Sequence, residues 1–192
     1  MSKVAFLGAG SFGTSLGILL GNKGVTVSLW DRDENVINDI NVNRKNDKYI
    51  KDLTIPTNVT AYKDLDEALN GAEYVVLAVP SHVIRTACKN LKGKINDDVI
   101  IINIAKGIEE GTNLRLSQVI NQELPNNKVV VLSGPSHAEE VSQGIPTVLV
   151  SASQNEFVRN YVQDIFMSKD MRVYTLDDVL GVEYGAALKN II

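Results

Sequence analysis

The chain has 192 residues, with 19 Lys and Arg against 23 Asp and Glu, and its formal net charge is −4. Hydrophobic residues make up 44% and charged residues 22% of the chain, which excludes a disordered tail or a collagen-like fibre. The slight acidity disfavours wholesale binding of nucleic acid or of an anionic membrane, because both require a basic face.

Hydropathy and cysteine content point to a cellular compartment. The longest strongly apolar stretch, residues 99–105, is far shorter than the roughly 18 residues of a membrane-spanning helix. The chain runs from Met1 directly into a strand pattern, without the layout of a signal peptide. Its single cysteine, Cys88, cannot form an internal disulfide, so a reducing compartment is expected. We therefore expect a cytoplasmic protein without membrane insertion.

Strand and helix patterns alternate along the chain. Short β-rich or apolar runs predict strands at residues 3–7, 25–29, 58–62, 74–79, 99–104, 129–132, 147–151 and 172–175. Helices are predicted at residues 11–23, 34–44, 81–91, 114–124, 156–166 and 177–192, with a short one opening at Asp64. The polar segment 41–51 is predicted to be a surface loop. No sequence repeat or Gly/Ser linker interrupts this order.

Several of the predicted strands are continuous apolar runs rather than alternating ones, which is typical of strands buried on both faces. The segments between them are long enough for crossover helices. The sequence therefore predicts an α/β fold of the Rossmann type, a doubly wound and mainly parallel sheet with flanking helices.

Residues 8–13 have the pattern G-x-G-x-x-G, directly after the first strand and at the start of a helix. This context favours a dinucleotide-binding loop over an ordinary glycine-rich turn. Gly8 permits the tight turn, and Gly10 lets the backbone approach a pyrophosphate at the helix N-terminus. Gly13 lets the helix pack closely on the strand.

The end of the second strand presents two side chains that can read the adenine ribose. An acid there, Asp31, can bond a ribose 2′-hydroxyl and favours NAD, whereas an arginine, Arg32, accommodates the 2′-phosphate of NADP. Guanidinium pairs well with phosphate. We expect NADP to be accepted and leave the preference between NAD and NADP open.

Three further strands end in small loops that converge on the same edge of the sheet, at residues 79–81, 105–107 and 133–136. Lys106 places a cation in one of them, where a phosphate or a carbonyl can lie. Ser136 with Glu139 forms S-x-x-E, which predicts a helix N-cap and is compatible with anion binding.

The remaining chemistry-bearing residues are few. Both histidines, His82 and His137, fall in these loops and are candidate acid–base groups, although exposed or capping roles are the commoner ones. Cys88 is predicted to be a packing residue. No cluster has metal-ligand spacing, so no metal site is predicted. For Lys189, on the last predicted helix, the spacing alone predicts a solvent-facing side chain.

Taken in order, these motifs resemble bacterial NAD(P)-dependent glycerol-3-phosphate dehydrogenase over essentially the whole chain. The last three motifs are the most specific. The resemblance rests on the segments GAGSFG (8–13), LWDRD (29–33), VPS (79–81), KGIE (106–109), GPSHAEEV (134–141) and GVEYGAALKNI (181–191).

The resemblance implies roles for individual residues. The cofactor contacts it implies are Ser11, Phe12, Arg32, Tyr49, Lys106 and Ala138. Lys106 also touches the substrate, which Gly134 and Ser136 help to hold. Lys189 matches the family's catalytic lysine and also contacts the substrate, which replaces the solvent-facing interpretation. Lys106 is the second catalytic residue and adds positive charge nearby. His137 stands where an aromatic residue is frequent.

The resemblance also implies a reaction, the reduction of dihydroxyacetone phosphate to sn-glycerol 3-phosphate for glycerophospholipid synthesis, and a homodimer for the full-length protein. The family continues beyond its LKN motif into a helical substrate domain. We therefore expect residues 1–178 to be a dinucleotide-binding domain and residues 179–192 to be the first helix of a truncated substrate domain. Such a fragment is expected to bind NAD or NADP but to be inactive alone.

Two other interpretations remain open from the residues. A hydroxyacid dehydrogenase of the 6-phosphogluconate type also combines a Rossmann domain with a lysine-bearing helix, but GPSHAEEV argues against it. A non-catalytic dinucleotide-sensing module is disfavoured because both Lys106 and Lys189 are present.

Overall fold

The structure is a computed structural model that describes residues 2–189. Within that range, eight strands form one sheet. They are β1 (Lys3–Leu7), β2 (Thr26–Trp30), β3 (Val59–Tyr62), β4 (Tyr74–Leu77), β5 (Ile100–Asn103), β6 (Val129–Ser133), β7 (Thr147–Ala152) and β8 (Met171–Leu176).

The order of strands in the sheet is β3-β2-β1-β4-β5-β6-β7-β8. Neighbouring strands are parallel throughout, except that β7 runs antiparallel to β6. The chain winds outwards in one direction from β1 to β3 and then returns to place β4 on the other side of β1. This reversal opens a crevice at the carboxyl ends of β1 and β4, where doubly wound sheets bind ligands.

Eight α-helices connect these strands or follow them in the described residues. They are α1 (Ser11–Asn22), α2 (Glu34–Asn38), α3 (Leu65–Leu69), α4 (Ile84–Leu91), α5 (Leu116–Glu123), α6 (Ala138–Ser142), α7 (Glu156–Phe166) and α8 (Val179–Leu188). A π-helical turn at Asp39–Asn43 follows α2, and a 3₁₀ turn at Ser81–Val83 precedes α4.

The core consists of two apolar clusters, one on each face of the sheet. Successive residues of β1 alternate between them, with Phe6 in one cluster and Leu7 in the other. The first cluster is closed by α1 and α7, and the second by α4 and α5. Burial on both faces explains the continuous apolar runs and confirms the predicted Rossmann-type fold.

Segment 41–51 is a surface loop only in part, although most of its residues are exposed as predicted. Residues 39–43 continue from α2 as a π-helical turn, and Asn46 and Ile50 are buried. The Arg44 side chain donates to the carbonyls of Ile55, Pro56 and Val59, which anchors the segment on β3.

The last helix begins two residues later than predicted. Asp178 is its N-cap, and the carboxylate accepts a hydrogen bond from the N–H of Gly181 at 2.8 Å. The prediction that the helix continues through residues 190–192 lies outside the described residues. Among the helices of residues 2–189, none has the length and apolar character required to cross a bilayer.

Candidate functional site

The glycine-rich loop between β1 and α1 has two glycines that the backbone requires and one that leaves space. Gly8 has φ +112°, and a Cβ there would lie 2.5 Å from the carbonyl oxygen of Ala78. A Cβ on Gly13 would lie 2.6 Å from the Gly8 carbonyl oxygen. A Cβ on Gly10, by contrast, would meet nothing within 4 Å. The open space at Gly10 is where the loop can receive a ligand.

Side chains from three places fasten this loop. The Ala9 carbonyl accepts from Thr14 Oγ1 at 3.0 Å and from Asn46 Nδ2 at 2.8 Å. The Ala9 N–H donates to Asp31 Oδ2 at 3.0 Å. Sequence reasoning missed Asn46, because an asparagine in a polar run carries no pattern that marks it as buried.

Both carboxylate oxygens of Asp31 therefore accept hydrogen bonds from backbone N–H groups. Its Oδ1 accepts from the N–H of Asp33 at 3.0 Å, in addition to the bond from Ala9. The neighbouring Arg32 is exposed and lies over the ring of Trp30, at 5.7 Å from the ring centroid. Its guanidinium is accessible from solvent at the end of β2.

A pocket of about 430 Å³ lies at the crevice between the carboxyl ends of β1 and β4. It brings together seven of the predicted cofactor-binding residues: Gly8, Gly10, Ser11, Phe12, Gly13, Asp31 and Tyr49. The far wall comes from residues 78–80 and 104–105, which follow β4 and β5. Arg32, Lys106 and Ala138 are not in the lining of this pocket.

The start of α1 offers backbone donors to this pocket. Gly10 is the N-cap of the helix, and no side chain caps the first turn. The first N–H groups of a helix lack intrahelical partners and carry partial positive charge. Combined with the open space at Gly10, this arrangement suits a phosphate or pyrophosphate.

Lys106 follows β5 and reaches across to the loop after β6. Its ammonium donates to the Gly134 carbonyl at 3.0 Å. Ser136 Oγ donates to the same carbonyl at 3.4 Å and is buried. Ser136 does not cap α6, contrary to the prediction from S-x-x-E; His137 occupies the N-cap position without a side-chain cap bond. Three of the four predicted substrate-binding residues, Lys106, Gly134 and Ser136, therefore meet at one carbonyl oxygen.

A second pocket, of about 360 Å³, lies beside Gly134, between the end of β6 and α8. Ser133, Gly134 and Pro135 form one wall, and Gly181, Gly185 and Lys189 belong to the other. Gly134 is required here, since a Cβ would lie 2.5 Å from the Val148 carbonyl oxygen. The small residues of α8 leave the space into which Lys189 opens.

The two lysines are close enough to influence each other. Burial lowers the pKa of Lys106, and the positive charge of Lys189 lowers that pKa further. Both lysines adjoin Gly134, Lys106 through its hydrogen bond and Lys189 across the second pocket, and a like charge nearby disfavours the protonated form of an amine. Two cations at one rim attract an anion.

Ala138, the first residue of α6, is positioned by α1. Its carbonyl accepts from Ser15 Oγ at 2.9 Å, and the side chain is buried. The contact places the start of α6 against the helix that carries the glycine-rich loop. Ser15 was not predicted, because a serine inside a helical pattern gives no sign of such a partner.

The two histidines and the cysteine do not line either of the two pockets. His82 and His137 are exposed. Cys88 is buried in the second apolar cluster, as predicted, and burial raises the pKa of its thiol to about 12. A thiol with such a high pKa is an inert packing group.

Comparisons with known proteins agree with this geometry. The family model described as "NAD-dependent glycerol-3-phosphate dehydrogenase N-terminus" matches residues 3–158. The chain is 88% identical to glycerol-3-phosphate dehydrogenase [NAD(P)+] of Clostridium perfringens and 58% identical to that of Clostridium botulinum, over its full 192 residues in both. It spans 58% of the length of each relative.

Among solved structures, the crystal structure of glycerol-3-phosphate dehydrogenase from Coxiella burnetii superimposes with a TM-score of 0.94 at 32% sequence identity. The alignment covers 99% of this chain and 58% of that chain. The motif order, the strand order and the family model all agree, and the model covers most of the chain. The chain thus belongs to the NAD-dependent glycerol-3-phosphate dehydrogenase family and carries its N-terminal part.

Proposed function

We propose that this chain is the cofactor-binding part of an enzyme that reduces dihydroxyacetone phosphate to sn-glycerol 3-phosphate with NADH or NADPH. The observation that carries the proposal is that two pockets lie at the same edge of the sheet and are linked by Lys106, which follows Ala105 of the first pocket and donates to Gly134 of the second. One pocket is lined by the glycine-rich loop, and the other by Lys189 and Gly134. The names of the relatives support the same reaction.

The residues of the first pocket fit a dinucleotide. The uncapped first turn of α1 would hold the pyrophosphate beside Gly10, with Ser11 and Phe12 on the same loop. The side chains at the end of β2 would read the adenine ribose. Asp31 is already bonded to the loop backbone, whereas Arg32 is accessible to a 2′-phosphate. Acceptance of NADP is therefore expected beside NAD.

When bound, the reduced cofactor supplies a hydride to the C2 carbonyl carbon of the substrate. The protein must then stabilise the negative charge that develops on the carbonyl oxygen and deliver a proton to it. The Lys189 ammonium is proposed to donate that proton, and its amine takes it back in the oxidative direction. Lys106 adds positive charge near both ligands, while Gly134 and Ser136 hold the substrate.

Residues 1–178 are proposed to form the dinucleotide-binding domain, and α8 to begin a substrate domain that continues beyond this chain. The length of the relatives supports that division, since this chain covers 58% of it. On this proposal the 192 residues alone bind cofactor but lack the full substrate site. The longer protein is proposed to be a cytoplasmic homodimer that serves glycerophospholipid synthesis.

The proposal is tested by steady-state oxidation of NADPH with the full-length protein and with the 192-residue chain. Full-length protein should oxidise NADPH in a saturable way with dihydroxyacetone phosphate, and it should not reduce NADP+ with a hydroxyacid of the 6-phosphogluconate type. The 192-residue chain should bind NADPH without turnover. Cofactor binding by the full-length protein without reduction of any carbonyl substrate would instead support a dinucleotide sensor.

A further inference from the structure

Helix α8 is attached to the sheet domain by a buried carboxylate. Glu183 is the one buried residue among the ten of α8, all of which the structure describes, and it is 5% exposed. Large apolar residues on the same helix, Leu180, Tyr184 and Leu188, are exposed instead. Within residues 2–189, the contact between α8 and the sheet domain is therefore centred on a charged side chain and not on large apolar ones.

Glu183 is bonded at the start of α5 by three groups. Its Oε1 accepts from the backbone N–H of Ser117 at 2.8 Å. Its Oε2 accepts from Ser117 Oγ at 2.6 Å and from Arg115 Nη1 at 2.5 Å. A buried carboxylate is tolerated only when its oxygens are paired in this way, and removal of one partner is costly. These bonds fix α8 in one place along α5.

The chain segment that supplies the partners of Glu183 also carries Lys106. Residues 106–117 run from Lys106, three residues after the end of β5, to Ser117, the second residue of α5 and a partner of Glu183. Along this segment, Ile108 pairs with Arg115 in a β-bridge, and Glu109 binds Arg85 in a bidentate ion pair with both distances 2.7 Å. We call residues 106–117 the strap. Lys106 lies at one end of the strap, and the other end binds the helix that leads to Lys189.

Lys189 is the C-cap of α8, six residues after Glu183, and has helical backbone angles. At 1.5 Å and about 100° per residue, this places the lysine about 9 Å along the axis and about 120° around it. Lys189 faces the pocket beside Gly134, whereas Glu183 faces α5. A rotation or slip of α8 at Glu183 would therefore displace the Lys189 amine.

We propose that Glu183 is a positioning residue: its bonds to Ser117 and Arg115 set the place of the Lys189 ammonium relative to Lys106 and the substrate carbonyl. This inference rests on the proposed function, in which Lys189 is the proton donor. Glu183 itself touches neither pocket, so its loss should lower turnover without weakening cofactor binding.

The experiment uses full-length protein with Glu183→Ala, Glu183→Gln, Ser117→Ala and Lys189→Ala. Glu183→Ala should lower kcat by about tenfold to a hundredfold, because small displacements of a catalytic group have effects of this size. The Kd for NADPH should stay within about twofold of wild type, a split that indicates loss of an interaction used in turnover only. Glu183→Gln, which keeps the acceptor oxygen, should recover part of kcat.

Phe166→Leu is the control for lost stability, because Phe166 is fully buried on α7 and lies in neither pocket. It should lower Tm while leaving kcat within about twofold of wild type, as expected for a change remote from the reacting groups. If Glu183→Ala does not fold, Ser117→Ala replaces it. That variant deletes one of the three bonds and should lower kcat by a smaller factor at unchanged NADPH affinity.

The positioning role is overturned if Glu183→Ala, or Ser117→Ala in its place, keeps the wild-type kcat. It is also overturned if kcat and NADPH affinity fall together, or if Phe166→Leu at equal loss of Tm lowers kcat as much. Lys189→Ala separates the two proposals. Wild-type turnover by Lys189→Ala contradicts the proposed function itself, whereas an impaired Lys189→Ala beside an unimpaired Glu183→Ala contradicts only the positioning role.

Discussion

At the scale of single residues, the glycine-rich loop is shaped by its glycines and held by polar side chains outside it. Gly8 and Gly13 are required by contacts under 3 Å that a Cβ would make with neighbouring backbone. Thr14 and Asn46 bond the Ala9 carbonyl from one side, and Asp31 bonds the Ala9 N–H from the other. A loop held in place before a ligand arrives binds it at a lower entropic cost.

Asn46 is therefore expected to matter for cofactor affinity as well as stability. Asn46→Ala removes two hydrogen bonds of the buried amide, to Ala9 and Thr14. It should lower the free energy of unfolding by about 1–3 kcal/mol, the usual cost of such a loss. Because the loop is loosened, the Kd for NADPH should rise several-fold, as measured by fluorescence titration.

Asn58→Ala is the matched control for Asn46→Ala. The Asn58 amide also donates two hydrogen bonds to backbone carbonyls, those of Gly21 and Val25 at the other end of α1. It should reduce stability by a similar amount and leave NADPH affinity unchanged. Equal loss of affinity in both variants would show that Asn46 acts only through general stability.

At the scale of elements, the strap carries Lys106 at one end and binds Glu183, on the helix that leads to Lys189, at the other. Its middle part is held by a network of charges. Arg85 binds Glu109 on the strap and also Glu123 on α5, at 2.7 Å. These bonds hold the pKa of Glu109 down to about 2, with Arg85 the largest cause and Thr112 the next. The strap is therefore fixed in part by an ionised carboxylate.

The network predicts a dependence of stability on pH. The pKa of Glu109 is lower in the folded chain than its ordinary value of 4.5, so its stabilising effect is fully present above that value. The effect is lost as pH falls towards about 2, because the unfolded chain takes up the proton first. The difference in unfolding free energy between wild type and Glu109→Gln should therefore shrink between these pH values in urea titrations.

The exposed neighbour Glu110 supplies the comparison for that titration. Glu110→Gln should differ from wild type by a small amount that changes little over the same pH range, as surface charges usually do. A Glu109→Gln difference that stays constant with pH would refute the account of the network.

The helices and strands were largely predictable where burial of one face or of a whole strand produces a hydrophobic pattern in the sequence. Helix α7 and strand β1 were found at their observed bounds, because one apolar face or one apolar run defines each. The helix predicted at residues 34–44 is observed, but its end as a π-helical turn and the burial of Asn46 were not predicted. Asn46 depends on Ala9 and Thr14, and Asn41 of the turn depends on Ala61, partners that are close only after the chain has folded.

The Glu183 contact was missed for the same physical reason. A glutamate among small residues on a helix looks solvent-facing in the sequence, and its partners at Arg115 and Ser117 are 66 to 68 residues away along the chain. The strand-end loops were predicted to converge because parallel strands share one carboxyl edge. That rule locates the site but does not say which polar side chains hold it together.

At the scale of the whole molecule, one reversal of strand order accounts for the location of the site. Strands β2 and β4 lie on either side of β1, and the chain turns away from the sheet in opposite directions after them. The pocket at that point contains the glycine-rich loop, and the pocket beside α8 contains Lys189. This site is compatible with the slightly acidic composition of the chain. A few cations and backbone amides at one edge of the sheet can bind phosphate, so the chain needs no excess of basic residues.

The most direct measurement is calorimetric titration of the 192-residue chain with NADPH, for wild type and for Gly10→Glu. Gly10 has φ −69° and free space where a Cβ would lie, so the variant should fold with an unchanged Tm. Its carboxylate would stand in the proposed pyrophosphate position. We predict one saturable site in wild type and a Kd at least about tenfold higher in Gly10→Glu, a repulsion of about 1.4 kcal/mol or more. Equal affinity of the two chains, or no binding by either, would contradict the account.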